Sequence, residues 1–465
     1  MTSSAGFCYD RADMKVALVL PNYHSHIITP PLGIGYLSSY LKKSGFDTVV
    51  VDAHNRALSQ DEVLHLCSDS EVVGISCHSA FILEASALSR KLKEQGHKVV
   101  MGGPHPSALP RETLSLSGAD FAVVGEGELA FRHIVEACAR NAEPAAFPGV
   151  ITQKTAELSR SSMIENLDEL PFPDWKAMDP RFYRKAPHGA VVKRFPVAPL
   201  TTTRGCNFGC KFCSSANLWG RRVRFRSPEN VVDEIEYLVK DFGVREIHFE
   251  DDNITLRRDH MEAIASLIIK RKLRISWAAP NGVRVESVDR ELLRLMKKSG
   301  CYMLAFGIES GNQAILERID KKITLDTARA AVTMAHKEGI VTQGFFIFGF
   351  PGETPDTMRE TVAFAKSIPL DRAQFLLLDI LPGSALWDEI AVKGDWKPDW
   401  SARSFHESTW TPDTITPKQL KDLRAWAFRS FYFRPRQAYY LLKFIKLSQI
   451  GYLIARMKDY AVLPS

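Results

Sequence analysis

"TTTRGCNFGCKFCSSAN" (residues 201–217) sets Cys206, Cys210 and Cys213 in a C-x3-C-x2-C spacing, with no fourth Cys or His in the loop. Structural zinc and fully ligated iron–sulfur clusters take four protein donors. Three thiols leave one metal position open for a small molecule to occupy. A zinc knuckle would have to recruit His188 or His248, the nearest histidines in sequence, and both lie outside the loop. The stretch just before it, "VAPLTTT" (197–203), reads as a strand, so the thiols follow a strand's carboxyl end.

The rhythm continues downstream. "SPENVVDEIEYLVKDFG" reads as a helix with Ser227 as N-cap, Pro228 at the first helical position and Gly243 past the end. Strands follow at "REIHFEDD", "RISWAAPNG", "YMLAFGIESG", "IVTQGFFIFGFPGET" and "RAQFLLLDILPG", with helical segments between them. Thr354 and Pro355 repeat the capping logic. Six parallel strands over 197–385 predict a partial (β/α)6 barrel, whose reactive face lies at the carboxyl ends of its strands.

Upstream, residues 14–140 alternate strands with helices: "KVALVLPN", a helix over 32–45 closed by Gly45, "DTVVVDAH", "VVGISCHSA", a helix closed by Gly96, "KVVMGGPHPS" and "DFAVVGEGE". Short loops between such elements predict a doubly wound, Rossmann-like parallel sheet. Such a sheet binds ligands outside the carboxyl ends of its strands, here "PNYHSH", "SCHS", "GGPHPS" and "GEGE". No G-x-G-x-x-G follows the first strand, which argues against a dinucleotide. Residues 141–196 lose the alternation and gather prolines and acids, so they read as a linker. The whole is an α/β protein.

The cysteine loop and residues 197–385 resemble the radical S-adenosylmethionine superfamily. That resemblance implies that the three thiolates hold a [4Fe–4S] cluster by three irons. The fourth iron takes the amino and carboxylate groups of S-adenosylmethionine, and one electron cleaves it to a 5′-deoxyadenosyl radical. It also implies that Phe212 contacts the adenine, that Asp251 or Asp252 of "FEDD" (249–252) binds the amino group, and that Glu309 of "GIESG" accepts the ribose hydroxyls. Backbone near Gly349 of "GFFIFGFPGET" approaches the adenine, and "APNGVR" (279–284), with Asn281 and Arg284, matches the third strand. The N-terminal third resembles the cobalamin-binding domain of one branch of these enzymes, through "PPLGIGYLSSYLKKSG", "GGPHPS" and "GEGE". That places His78, Gly102, Gly103, His105, Ser107, Gly125 and Glu126 beside a cobalamin. The D-x-H-x-x-G signature is missing, which implies cobalt bound without a protein histidine.

The remaining cysteines (Cys8, Cys67, Cys77, Cys138, Cys301) stand singly and have no cluster spacing, which sets aside the methylthiotransferases with their second cluster. With 45% apolar and 25% charged residues and a net charge of +6, nothing indicates a nucleic-acid partner. Asp10, Arg11, Asp13 and Lys15 leave no apolar signal segment, so a cytoplasmic location is expected. Residues 386–465 begin loop-like and then turn helical, aromatic and basic. They read as a cap over the barrel mouth, or as an interfacial segment touching a membrane and suited to a lipid-like substrate. The expected activity is methyl transfer to an unactivated carbon of a small-molecule or lipid-like substrate, with a flavodoxin- or ferredoxin-type reductant. A cobalamin-assisted cyclisation is the rival reaction, and a non-catalytic cobalamin or iron–sulfur sensor the rival class.

Overall fold

The computed structural model describes residues 14–25, 27–185, 192–394, 396–401, 409–437 and 451. Cys8, His26, His188 and nearly all of the basic, aromatic stretch after 437 lie outside them. The chain divides into two compact units. The first comprises residues up to His24, Pro31–Glu165 and Glu169–Met178, and the second Ser25–Pro30, Asn166–Asp168 and everything from Asp179.

In the first unit the strands are β1 (Lys15–Leu20), β2 (Asp47–Asp52), β3 (Val72–Ser76), β4 (Lys98–Gly102), β5 (Phe121–Val123) and β6 (Val150–Ile151), ordered β2-β1-β3-β4-β5-β6. The first five are mutually parallel. Every residue of β1 after Lys15 is buried, as expected for a strand covered by helices on both faces. β6 corrects the reading of 141–196 as a plain linker. Residues 141–165 belong to the first unit, and Val150 and Ile151 pair antiparallel with β5, covering an edge that would otherwise expose its backbone.

The second unit is built on β7 (Val197–Leu200), β10 (Glu246–Phe249), β11 (Ser276–Val283), β12 (Cys301–Glu309), β13 (Val341–Phe348) and β14 (Arg372–Leu377). All five pairings are parallel, and each strand lies beside its predecessor. A small antiparallel ribbon, β8 (Thr203–Arg204) with β9 (Arg224–Phe225), stands apart from this sheet. Thr416 and Gln419 form a capping box that starts the helix Pro417–Tyr432. This helix brings Leu420 of its first turn up to Gly349, just past the carboxyl end of β13. Its apolar face packs along the edge strand β14, with Phe428 and Phe431 against Phe375 at 5.4 and 6.2 Å, and the Tyr432 hydroxyl donates to the Ala373 carbonyl at 2.9 Å. Among the described residues no helix is long and apolar enough to cross a membrane.

Candidate active site

The cysteine loop leaves β8 and returns through β9, so the ribbon holds its base closed. Gly205 at the exit has φ +106°, and a Cβ there would stand 2.5 Å from the Arg222 carbonyl oxygen, so only glycine fits. Within the loop, the Lys211 amide donates to the Ile319 carbonyl at 3.0 Å and its carbonyl accepts from the Leu386 amide at 2.9 Å. Cys206 and Cys210 are half-buried and Cys213 is exposed. Desolvation raises the Cys206 thiol, and the protein around Cys213 pushes its thiol up to about 11 even though the residue reaches the surface. The Cys210 charge raises both further. Thiols close enough to repel one another favour a cationic metal centre that deprotonates all three. No three His, Cys, Asp or Glu side chains among the described residues converge closely enough to ligate a single ion. A cuboidal cluster spreads its thiolates further apart, and the donor set fits that group.

The two acids at the end of β10 have different surroundings. Asp251 is buried, and its Oδ1 accepts from the Thr202 amide (2.9 Å), the Thr202 hydroxyl (2.8 Å) and the Thr203 hydroxyl (2.6 Å). Burial raises its carboxyl to about 6 against the pull of those donors. Of the expected pair, Asp251 therefore braces the strand end that launches the cysteine loop. Asp252 is exposed, accepts from the Ser215 hydroxyl two residues past Cys213, and its charge is felt at both Cys206 and Cys213. It is the acid that stands beside the thiols.

Glu309 ends β12 with φ +70°, at a register shift against β13 that re-aims its side chain. It is buried, and its Oε1 accepts from Lys321 Nζ at 2.8 Å, a pair with both members shut away from water. The Lys321 ammonium lies 5.9 Å from the Phe212 ring centroid, and Phe212 tilts against Phe350 at 5.6 Å. The structure thus gathers Phe212, Glu309 and the Gly349–Phe350 turn through Lys321, which sequence reading missed because an isolated Lys in "DKK" carries no local signal. Gly349 has φ +100°, but its amide donates to Glu353 Oε2 at 2.7 Å, as does that of Phe350 at 3.0 Å. A Cβ on Gly349 would meet Leu420 at 3.4 Å. The glycine therefore serves the turn and the close approach of Leu420, and its amide is already taken. Asn281 donates from Nδ2 to the Glu250 carbonyl at 3.1 Å.

Glu353 is fully buried, and desolvation raises its carboxyl to about 8 despite two backbone donors. Between pH 6.5 and 8 the folded chain keeps this proton while the unfolded chain does not, so stability falls as pH rises through that window. The fall is about 2 kcal/mol at ~1.4 kcal/mol per unit. Glu353→Gln keeps an acceptor for both amides and removes the titration. Its apparent melting temperature should change less between pH 6.5 and 8 than that of the wild type.

At the carboxyl edge of the first unit's sheet, the Cys77 amide donates to the Gly102 carbonyl at 2.8 Å and the Cys77 carbonyl accepts from the His105 amide at 3.2 Å. Gly103 has φ +103°, and a Cβ there would stand 2.8 Å from the Cys77 oxygen. The Ser107 hydroxyl donates to the Gly103 carbonyl (2.8 Å) and accepts from the Gly125 amide (3.0 Å), tying the loops after β4 and β5 together. His78 is exposed at this edge. His105 is fully buried, its Nδ1 is paired with the Ser79 hydroxyl at 2.9 Å, and burial, reinforced by nearby His78, lowers its pKa to about 4. Glu126 is buried, with Oε2 3.5 Å from the Ile164 amide. His105, Ser107 and Glu126 thus shape the loops from within, while Gly102 and Gly103 are half-buried. His78 reaches the surface with its ring tilted against Phe81 at 5.3 Å, where desolvation by the surrounding protein still lowers its pKa to about 4.

A six-stranded parallel sheet that carries a three-thiol loop past its first strand, preceded in the chain by a doubly wound unit, defines the cobalamin-binding kind of radical S-adenosylmethionine protein. Residues 200–365 match the model of the radical SAM superfamily and residues 24–135 that of the B12 binding domain. An uncharacterized methyltransferase of Pyrococcus horikoshii is 33% identical over 441 residues, covering 91% of this chain and 93% of its own. An anaerobic magnesium-protoporphyrin IX monomethyl ester cyclase of Rubrivivax gelatinosus is 30% identical, over 90% and 77%. The radical S-adenosylmethionine methyltransferase TsrM of Kitasatospora setae, solved with cobalamin and a [4Fe–4S] cluster bound, shares the fold at a TM-score of 0.68 and 21% identity, over 82% and 75%. The chain belongs to the cobalamin-dependent radical S-adenosylmethionine enzymes, whose cofactors are a [4Fe–4S] cluster, S-adenosylmethionine and cobalamin.

Proposed function

We propose that this enzyme transfers a methyl group to an unactivated carbon of a small organic or lipid-like substrate, supplied with electrons by a flavodoxin- or ferredoxin-type partner. One observation carries the reading: the similarity to the Pyrococcus methyltransferase runs through both units, 91% of the chain, and not through the barrel alone. When bound, the cluster and cobalamin supply the electron for cleaving S-adenosylmethionine and the carrier for the methyl group. The chain's own residues hold and orient. Cys206, Cys210 and Cys213 ligate three irons, and Asp252 takes the amino group of S-adenosylmethionine. Glu309, held in place by Lys321, accepts from the ribose hydroxyls, while Phe212 and Phe350 line the adenine side.

Anaerobic protein reconstituted with iron and sulfide, purified with hydroxocobalamin and given dithionite and S-adenosylmethionine should form S-adenosylhomocysteine as well as 5′-deoxyadenosine. 5′-Deoxyadenosine alone would favour the second reading, a cobalamin-assisted cyclisation, which the similarity to the Rubrivivax cyclase over 90% of this chain supports.

The two acids give separable results. Asp252→Asn should weaken S-adenosylmethionine binding with little change in stability, because the residue is exposed. Glu309→Gln should weaken binding at least tenfold and also destabilise by ~3 kcal/mol, since it leaves a buried lysine without its counter-charge. The double variant Glu309→Gln/Lys321→Met should recover stability and not binding. Unchanged affinity in Asp252→Asn and in the double variant would remove both acids from the site.

A further inference from the structure

Arg284 follows directly on β11 and is buried. Its guanidinium makes four contacts at once. Nη1 donates to Cys210 Sγ at 3.6 Å, Nη2 to the Lys321 carbonyl at 2.6 Å and Nε to Glu286 Oε1 at 2.5 Å, while the guanidinium carbon stands 3.7 Å over the Phe208 ring. Phe208 and Cys210 belong to the cysteine loop, and Lys321 is the partner of Glu309. One planar cation therefore stacks on the loop's aromatic, touches one of its three sulfurs and fixes the backbone of the residue that orients Glu309.

We propose that Arg284 is a positioning residue that sets the reduction potential of the cluster through Cys210. The inference rests on the assignment of Cys206, Cys210 and Cys213 as cluster ligands. Hydrogen bonds to cluster sulfurs and nearby net charge are levers on the potential of such centres. A positive donor on one thiolate stabilises the reduced cluster, which carries one more negative charge, and so raises the potential. Lysine cannot reproduce the arrangement, because it lacks the fork that reaches Sγ, a carbonyl and a carboxylate together. Glu286 opposes the effect: its side chain is about a third exposed, and its charge partly neutralises the guanidinium.

The test is a redox titration of the reconstituted, cobalamin-loaded enzyme, read by electron paramagnetic resonance of the reduced cluster, with iron and sulfide counted beforehand. At the poise where the wild-type cluster is half reduced, Arg284→Met should show a reduced-to-oxidised ratio about tenfold lower, equivalent to ~59 mV for one electron. Arg284→Lys should fall between the two. Glu286→Gln, a substitution at the rim, should move the ratio the opposite way and keeps the proposal testable if Arg284→Met loses its cluster. An unchanged ratio in Arg284→Met, or an unchanged or lowered one in Glu286→Gln, overturns the role of Arg284. A wild-type protein that holds no cluster would instead overturn the ligand assignment.

Discussion

Replacing Cys206, Cys210 and Cys213 together by alanine is expected to leave a folded protein with no broad visible absorption after reconstitution with iron and sulfide, and with no detectable cleavage of S-adenosylmethionine. Folding should survive because none of the three thiols is fully buried. The loop is fixed by backbone bonds at Lys211, by the ribbon of Thr203–Arg204 with Arg224–Phe225, and by Asp251 beneath it. Circular dichroism melts within a few degrees of the wild type would establish this. The loss of chemistry should be complete, because no other Cys in the described chain stands within reach of these positions in sequence and the remaining thiols are scattered singly. Reductive cleavage by the triple variant would sink the assignment of the cluster.

Gly103→Ala should lower retained corrinoid from about one per chain to less than a tenth, with iron and sulfide content unchanged. A left-handed backbone at φ +103° costs a non-glycine residue ~1–3 kcal/mol. The new methyl would also press on the Cys77 oxygen at 2.8 Å, which cannot retreat because its residue is pinned to Gly102 and His105. The loops after β3 and β4 would have to part, and with them the edge where a doubly wound sheet holds its ligand. By contrast, His78→Ala and His105→Asn should retain a corrinoid with a base-off spectrum. His105 is sealed inside, with Nδ1 paired to Ser79 and Nε2 3.7 Å from Glu112, so its imidazole is not offered to cobalt. A spectral change on altering either histidine would show an axial imidazole after all, and full retention in Gly103→Ala would place the corrinoid elsewhere.

The sequence discloses what is written locally. Ser227, Pro228 and Gly243 bound their helix as the capping chemistry requires, and the strands of both sheets fall where apolar runs meet glycine-rich ends. The three thiols are legible because cluster spacing is itself a local pattern. What escaped was long-range. The β6 strand is two residues long, and only the β5 edge it covers makes it a strand. Asp251 and Asp252 are neighbours in sequence with the same chemistry, and they part only in the folded loop past β10, where one accepts from Thr202 and Thr203 and the other from Ser215. Arg284 lies 74 positions from the sulfur it touches, a relation that no window of the chain contains.

Glu309 has a consequence for how this protein can drift. A glutamate at φ +70° is a poor choice for stability alone, since glycine or asparagine would occupy that bend with less strain. Relaxing the bend would free a fraction of a kilocalorie to about 1 kcal/mol locally. It would also orphan the Lys321 ammonium in a dry interior, and that loss is larger. Neither residue can therefore be exchanged first without loss, and a lineage leaving this arrangement would have to change both positions nearly together. The acid is kept in place by a local fitness barrier, whether or not a given substrate exerts selection on it.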